Sequence, residues 1–209
     1  GNMKNIGFIG VGTMGLPMAL NLLKNGHALS FYDPFADKKT IEALTEVGAK
    51  QENNIPDLCK KQDFLISMLP IGKNVKDVAL GEDGIINQDN TDLIYIDMST
   101  ILPADSIEVS KQLQTKNIQM FDAPVARLVN NAIDGTLLIM VGGSLQDFPK
   151  VEEILNCMGS DVVYCGVIGS GSKMKIINNY MAIVSNILTA ETLSLVHKSG
   201  IDQKLAIEL

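Results

Sequence analysis

Three glycines near the start of the chain stand at a spacing that suits a phosphate. Gly10, Gly12 and Gly15 form G-x-G-x-x-G, with Val11, Thr13 and Met14 between them, after the apolar run K-N-I-G-F-I. Where a strand turns into a helix, the first glycine permits the tight turn and the second lets a pyrophosphate approach the backbone. The third lets the helix pack closely on the strand, and the helix N-terminus adds N–H donors and a positive dipole end. The same spacing also occurs in plain structural turns, so context decides. Here residues 4–10 read as a strand and 13–25 as a helix, with Met14, Met18 and Leu22 at helical intervals and Asn25-Gly26 as the stop. Asp33 ends the next apolar run, where a carboxylate accepts ribose hydroxyls and repels a 2′-phosphate. A dinucleotide site follows, with NAD favoured; the neighbouring Lys38 and Lys39 leave NADP open.

Lys175 and Asn179 lie four residues apart on one helical face, with Asn178 adjoining. Most lysines are solvated surface charges. A nicotinamide site nevertheless requires a group that gives or takes a proton at the carbinol oxygen while hydride moves at its carbon, and a lysine flanked by a carboxamide supplies one. Arg127, the only arginine in the chain, sits in the segment that leaves Asp122-Ala-Pro. Its planar fork suits a carboxylate, sulfonate or phosphate, and a surface salt bridge is the competing use. His27 follows the Asn25-Gly26 stop and reads as a capping or packing group.

These residues need a scaffold with a regular beat. Residues 28–32, 64–69, 93–97, 118–121, 136–141 and 162–164 read as strands; helices fall at 38–47, 74–80, after Pro103, and at 148–158 behind Ser144-x-x-Asp147. Alternating strands and helices with short connections imply a mostly parallel sheet covered on both faces. The fold class is α/β, a Rossmann-type doubly wound sheet over residues 1–165, followed at 166–209 by the start of an all-helical second domain. The glycine-rich stretch 166–171 marks the boundary, and residues 172–198 hold no breaker. Polar Asn178, Asn179, Ser185, Asn186 and Glu191 exclude a bilayer span there. Apolar residues lie on more than one side of this helix, more than residues 202–209 can cover. The chain thus reads as part of something longer and as an oligomer, a homodimer or higher.

Composition narrows the function. With 209 residues, 46% of them hydrophobic, the chain buries a core; 17 basic against 24 acidic side chains give a net charge of −7, which disfavours nucleic acid and anionic membranes. The three cysteines, Cys59, Cys157 and Cys165, have no C-x-x-C spacing and read as free thiols of a reducing compartment, the cytoplasm. With only two histidines, no metal site is expected.

Taken together, these motifs resemble the β-hydroxyacid dehydrogenase family, typified by 3-hydroxyisobutyrate dehydrogenase. The resemblance rests on the stretch from Gly7 to Leu22, M-L-P at Met68–Pro70, S-T-x-x-P at Ser99–Pro103, D-A-P-V at Asp122–Val125 and G-S-G-S-K-M-K-I-I-N-N from Gly169 to Asn179. It implies that Lys175 rather than Lys173 is the catalytic lysine and that Asn179 orients the substrate. It also implies cofactor contacts from Leu69, Pro70, Asn74 and Thr100. Two features depart from the family pattern. Ala126-Arg127-Leu128 replaces the usual Ser-Gly-Gly of the substrate loop, and the chain stops at Leu209. The altered loop, followed by Asn131-Ala132-Ile133, is similar to that of sulfolactaldehyde reductases, whose substrate carries a sulfonate. The activity implied is hydride transfer between NAD(H) and a small β-hydroxy acid or its semialdehyde, with Ala126, Arg127, Leu128 and Asn178 at the substrate. A sulfonate-specific enzyme, a catalytically silent nucleotide-binding module and, more weakly, a phosphogluconate-type dehydrogenase are the alternatives.

Overall fold

The computed structural model describes residues 2–208. Apolar alternation and glycine stops set the first crossover. β1 (Asn5–Ile9) leads into α1 (Gly15–Lys24), and β2 (Ala28–Tyr32) returns parallel to β1. α2 (Lys38–Thr45) is opened by Asp37, whose carboxylate accepts the Thr40 N–H at 2.8 Å, a standard N-cap. Two short elements then appear that hydrophobic periodicity did not reveal, β3 (Lys50–Gln51) and α3 (Ile55–Cys59). β4 (Phe64–Ser67), α4 (Gly72–Leu80), β5 (Ile94–Asp97), α5 (Pro103–Gln114) and β6 (Gln119–Asp122) follow close to their expected places.

The chain then changes direction. β7 (Val125–Ala126) and α6 (Val129–Asp134) are further short elements, and β8 (Leu137–Gly142) runs antiparallel to both β6 and β7. α7 (Phe148–Leu155) crosses to β9 (Gly159–Gly166), parallel to β8 and longer than residues 162–164. The strand order is β3-β2-β1-β4-β5-β6-β8-β7, with β9 paired to β8. From β1 the chain builds outward to β2 on one side and to β4 on the other, so the switch point of this sheet lies at the carboxyl ends of β1 and β4.

Period-two alternation divides the buried side chains between two faces. Ile6, Phe8, Phe31, Ile66, Ile96 and Phe121 pack with Met18 and Leu22 of α1 and Val151 of α7; Ile9, Leu65, Tyr95 and Met120 pack with Leu58 of α3, Ala79 of α4 and Val109 of α5. Each group of helices closes one face of the sheet, which is what a doubly wound fold needs to exclude water from a parallel sheet.

α8 (Ser170–Ser199) and α9 (Gln203–Glu208) complete the chain. The first compact unit runs through Lys175 and the second from Ile176. The first unit therefore extends beyond the expected boundary at residue 165, because the first turn of α8 belongs to it. In the second unit Ile176, Ile177, Met181, Ile183, Ile187 and Leu188 are exposed. No helix among the described residues is long and apolar enough to cross a membrane.

Candidate functional site

A cleft of about 700 Å³ opens at the switch point. Its floor is the glycine turn. Gly10 takes φ +93°, and a Cβ there would stand 2.2 Å from the Met68 carbonyl oxygen; a Cβ on Gly15 would stand 1.9 Å from the Gly10 carbonyl oxygen. These two positions hold the turn tight against β4 and α1 tight against the turn. Gly12 differs, since a Cβ there would meet nothing within 4 Å. Its open side faces the cleft, and a side chain would fill the space that a pyrophosphate needs. The amides of Gly12, Thr13 and Met14 find no acceptor among the described residues, so the start of α1 presents free donors to an anion.

Asp33 is fixed at the lip. Its Oδ2 accepts the Val11 N–H at 3.0 Å and its Oδ1 accepts the Phe35 N–H at 2.9 Å, which aims the carboxylate across the end of β2. Of the positions expected at the cofactor, Gly10, Val11, Gly12, Thr13, Asp33, Leu69, Pro70 and Asn74 line the cleft. Gly15 lies buried beneath it, Met14 packs against the core, and Thr100 is exposed outside the cleft lining. Sequence reasoning missed the apolar walls, among them Phe35, Ile55 and Val78. They come from three separate segments, and Phe35, 93% exposed, would look like a surface accident in its own segment.

Two buried aspartates anchor the neighbouring strand ends. Asp97 closes β5 and pairs in register with Asp122, which closes β6. Asp97 Oδ1 accepts the Ser67 hydroxyl at 2.8 Å and the Ser99 N–H at 3.2 Å, and the Ser99 hydroxyl accepts the Leu69 N–H at 2.8 Å. Ser67 also shares a hydrogen bond of 2.6 Å with Tyr95. This chain ties the segment carrying Leu69-Pro70 to the one carrying Ser99-Thr100. Asp97 Oδ2 has no partner among the described residues, and burial pushes its carboxyl up to about 6, with the charge of Asp122 adding to the rise while Ser99 and Ser67 oppose it. Asp122, by contrast, has both oxygens satisfied, by the Gly169 and Ser172 amides at 2.8 Å each.

Lys175 stands in α8 one turn beyond Ser172 and is half-buried; burial holds its ammonium below the usual lysine range. Lys173 is exposed. Farther along the same helix Asn178 is half-buried and Asn179 exposed. The loop after β6 is placed differently from the expectation of a free cationic fork. Arg127 has φ +86°, and its guanidinium pairs with Asp161 of β9 at 2.6 Å while donating to the Thr136 carbonyl at 2.9 Å and the Ser160 hydroxyl at 3.1 Å. The competing reading, a surface salt bridge, describes this geometry: the left-handed backbone turns the side chain toward the carboxylate on β9. Ala126 is buried and Leu128 exposed, and the Asn131 carboxamide accepts the Leu128 N–H at 3.1 Å to open α6.

The chain is similar to known proteins in sequence and in fold. Residues 5–166 match the family described as the NAD binding domain of 6-phosphogluconate dehydrogenase. The mitochondrial 3-hydroxyisobutyrate dehydrogenase of Rattus norvegicus is 41% identical over 204 residues, which cover 98% of this chain and 60% of that protein. The 3-sulfolactaldehyde reductase of Escherichia coli (strain K12) is 39% identical over 207 residues, covering 99% of this chain and 69% of that protein. Among solved structures, the 3-hydroxyisobutyrate dehydrogenase of Mycobacterium tuberculosis with L-serine superposes at a TM-score of 0.87 with 30% identity, covering 97% of this chain and 68% of that one. The chain spans about 60% of the length of the curated 3-hydroxyisobutyrate dehydrogenases it matches. With residues 5–166 matching that NAD-binding domain and relatives of this identity and coverage, the chain belongs to the β-hydroxyacid dehydrogenase family.

Proposed function

We propose that the full protein is an NAD-dependent oxidoreductase that interconverts a small β-hydroxy acid and its semialdehyde, of the 3-hydroxyisobutyrate dehydrogenase type. The observation that carries this reading is the half-buried Lys175 on a helix whose first turn is hydrogen-bonded to the carboxyl end of β6, the sheet edge on which the nucleotide cleft also opens. The free amides of the glycine turn would hold the pyrophosphate, Asp33 the adenine ribose, and Leu69, Pro70 and Asn74 the nucleotide further along the edge. Asp33 supports NAD over NADP, because a 2′-phosphate there would meet a carboxylate. When bound, the nicotinamide supplies or accepts the hydride.

The chain's own residues manage the proton and the anion. In oxidation the neutral Lys175 amine takes the hydroxyl proton; in reduction its ammonium returns one to the carbonyl oxygen. Its lowered pKa enlarges the neutral fraction near neutral pH, so oxidation rises with pH along a limb below the ordinary lysine value of 10.5. Asn179, four residues on, orients the substrate, and Asn178 and the loop Ala126–Leu128 shape its anionic end. Replacing Lys175 by alanine should leave NADH binding within about twofold and lower turnover by about 10²–10⁴-fold. Turnover near that of the wild type would remove Lys175 from this role.

A second reading, a sulfolactaldehyde reductase, is favoured by the E. coli relative and by Arg127 in the altered loop. It requires the Arg127 fork to exchange Asp161 for a sulfonate. A panel of carboxylated and sulfonated semialdehydes with NADH and NADPH separates the two, and tight NADH binding without turnover would instead indicate a silent binding module. The exposed apolar side chains of α8 support a homodimer or higher oligomer, which sedimentation of the full-length protein tests. The three free thiols support a reducing compartment, the cytoplasm in our reading.

A further inference from the structure

We propose that Asp122 is a positioning residue for Lys175: its carboxylate, at the end of β6, fixes the first turn of α8 and so sets where the lysine stands. This rests on the reading of Lys175 as the group that handles the substrate proton.

The first N–H groups of a helix have no partner within it and are usually satisfied by a residue just before the helix. At the start of α8 the Ser170 N–H is satisfied locally, by the Val167 carbonyl at 2.9 Å, but the N–H groups of Gly169, just before the helix, and of Ser172, in its first turn, are satisfied from far away. Asp122 is 1% exposed, and its two oxygens accept the amides of Gly169 and Ser172, residues 47 and 50 positions later in the chain. A local cap would satisfy the donors and leave the helix free to shift against the sheet. A carboxylate borrowed from a strand end satisfies them and ties the first turn, as far as Lys175, to the sheet.

The packing leaves little room for another arrangement. A Cβ on Gly171 would stand 2.4 Å from the Met140 carbonyl oxygen and 2.8 Å from that of Asp122, and a Cβ on Gly142 would stand 2.4 Å from Asp122 Oδ1. The Ser172 hydroxyl also meets that of Ser106 on α5 at 3.3 Å, a lateral stop on the same turn. Lys175 follows Ser172 by one turn of a rigid helix, so a displacement of the Ser172 amide is carried to the lysine. The main chain next to Asp122 is equally fixed, since the Ala123 N–H donates to the Asp97 carbonyl at 2.7 Å and the Pro124 carbonyl accepts the Met140 N–H at 3.1 Å. One strand end therefore sets both the catalytic helix and the departure of the substrate loop.

The test compares Asp122→Asn and Lys175→Ala in the full-length protein, with 3-hydroxyisobutyrate and NAD as the turnover probe and NADH fluorescence as the binding probe. Asparagine keeps the shape but presents an NH2 group to one of two donors. We expect Asp122→Asn to lower kcat at least tenfold with the NADH Kd within twofold, and to speed amide exchange at Gly169 and Ser172 at least tenfold. Turnover within twofold of wild type, or unchanged exchange at those amides, while Lys175→Ala is inactive, would overturn the role of Asp122 and leave that of Lys175 intact. An active Lys175→Ala would overturn both. A loss of NADH affinity as large as the loss of turnover would also overturn it, since Asp122 would then support the whole domain. If Asp122→Asn does not fold, Gly142→Ala displaces the same carboxylate; the same split supports the proposal, and unchanged kcat overturns it.

Discussion

The carboxyl ends of β1 and β6 do comparable work by opposite means. At β1 the site is backbone: Gly10, Gly12 and Gly15 lie within six residues of one another, and the donors offered to an anion are peptide amides. At β6 the site depends on one buried side chain, Asp122, whose partners lie 47 and 50 residues away. The difference teaches what each end can tolerate. A backbone turn makes demands on side-chain size, whereas a buried carboxylate makes demands on charge and on hydrogen-bond direction. β5 stands between the two, because Asp97 also anchors its surroundings by side chain but leaves one oxygen without a partner among the described residues.

The sharpest way to break this comparison is at the turn. In Gly15→Ala the new methyl would lie 1.9 Å from the Gly10 carbonyl oxygen, a backbone atom that cannot swing away, so α1 must move off the strand. Overpacking of this kind costs about 1–3 kcal/mol, and the displaced helix start should lose NADH affinity by more than about tenfold. Chemical unfolding and NADH titration together check it. Tight NADH binding in the variant would mean that α1 does not need this close approach.

Asp97 gives the next largest effect, and it has a definite sign. Burial raises its carboxyl from 3.8 to about 6, so between those pH values the native protein holds a proton that the unfolded chain has released. The stability this confers is full below the unfolded pKa and is lost as pH rises through the folded one, about 3 kcal/mol in all. An asparagine in its place does not titrate, so in Asp97→Asn the stability relative to wild type should improve by about that amount from acid to neutral pH. Urea unfolding of both proteins across this range measures the difference, and parallel pH curves would show that Asp97 ionises as it does in water.

Most of the fold was legible because each long element carries at least one full period of its own pattern. The apolar runs at Ile6–Ile9 and Phe64–Ile66, bounded by glycine and proline, announce buried strands, and Asp33 is legible because its meaning depends on the chain order before it. β3, α3, β7 and α6 were not legible. They hold between two and six residues, too few for a period of either kind, and they exist because the ends of longer elements bring them together. At the site, Leu69, Pro70 and Asn74 came only from the family resemblance, and the walls Phe35, Ile55 and Val78 came from neither. Thr100, expected at the cofactor, is exposed and does not line the cleft, while its neighbour Ser99 accepts the Leu69 N–H. The role of Asp122 could not be read from its neighbours, because a carboxylate before Ala-Pro looks the same whether it faces water or a helix far along the chain.

The smallest effect separates the two readings of the loop. Arg127 is a non-glycine residue at φ +86°, a conformation that costs an L side chain about 1–2 kcal/mol. Glycine would remove that cost but lose a half-exposed ion pair with Asp161, worth about 0–1 kcal/mol, and add backbone entropy to the unfolded chain of about 0.5–1 kcal/mol. These terms nearly cancel, so Arg127→Gly should unfold within about 1 kcal/mol of wild type. Its kinetics are then free of folding effects. If the guanidinium stays on Asp161 during turnover, as its three polar contacts favour, the variant should shift KM for carboxylated and sulfonated substrates by similar factors. A rise of about tenfold or more for the sulfonated substrate alone would mean that the fork leaves Asp161 for the substrate, and the β6 end would then recognise its ligand with a charged side chain where the β1 end uses only amides.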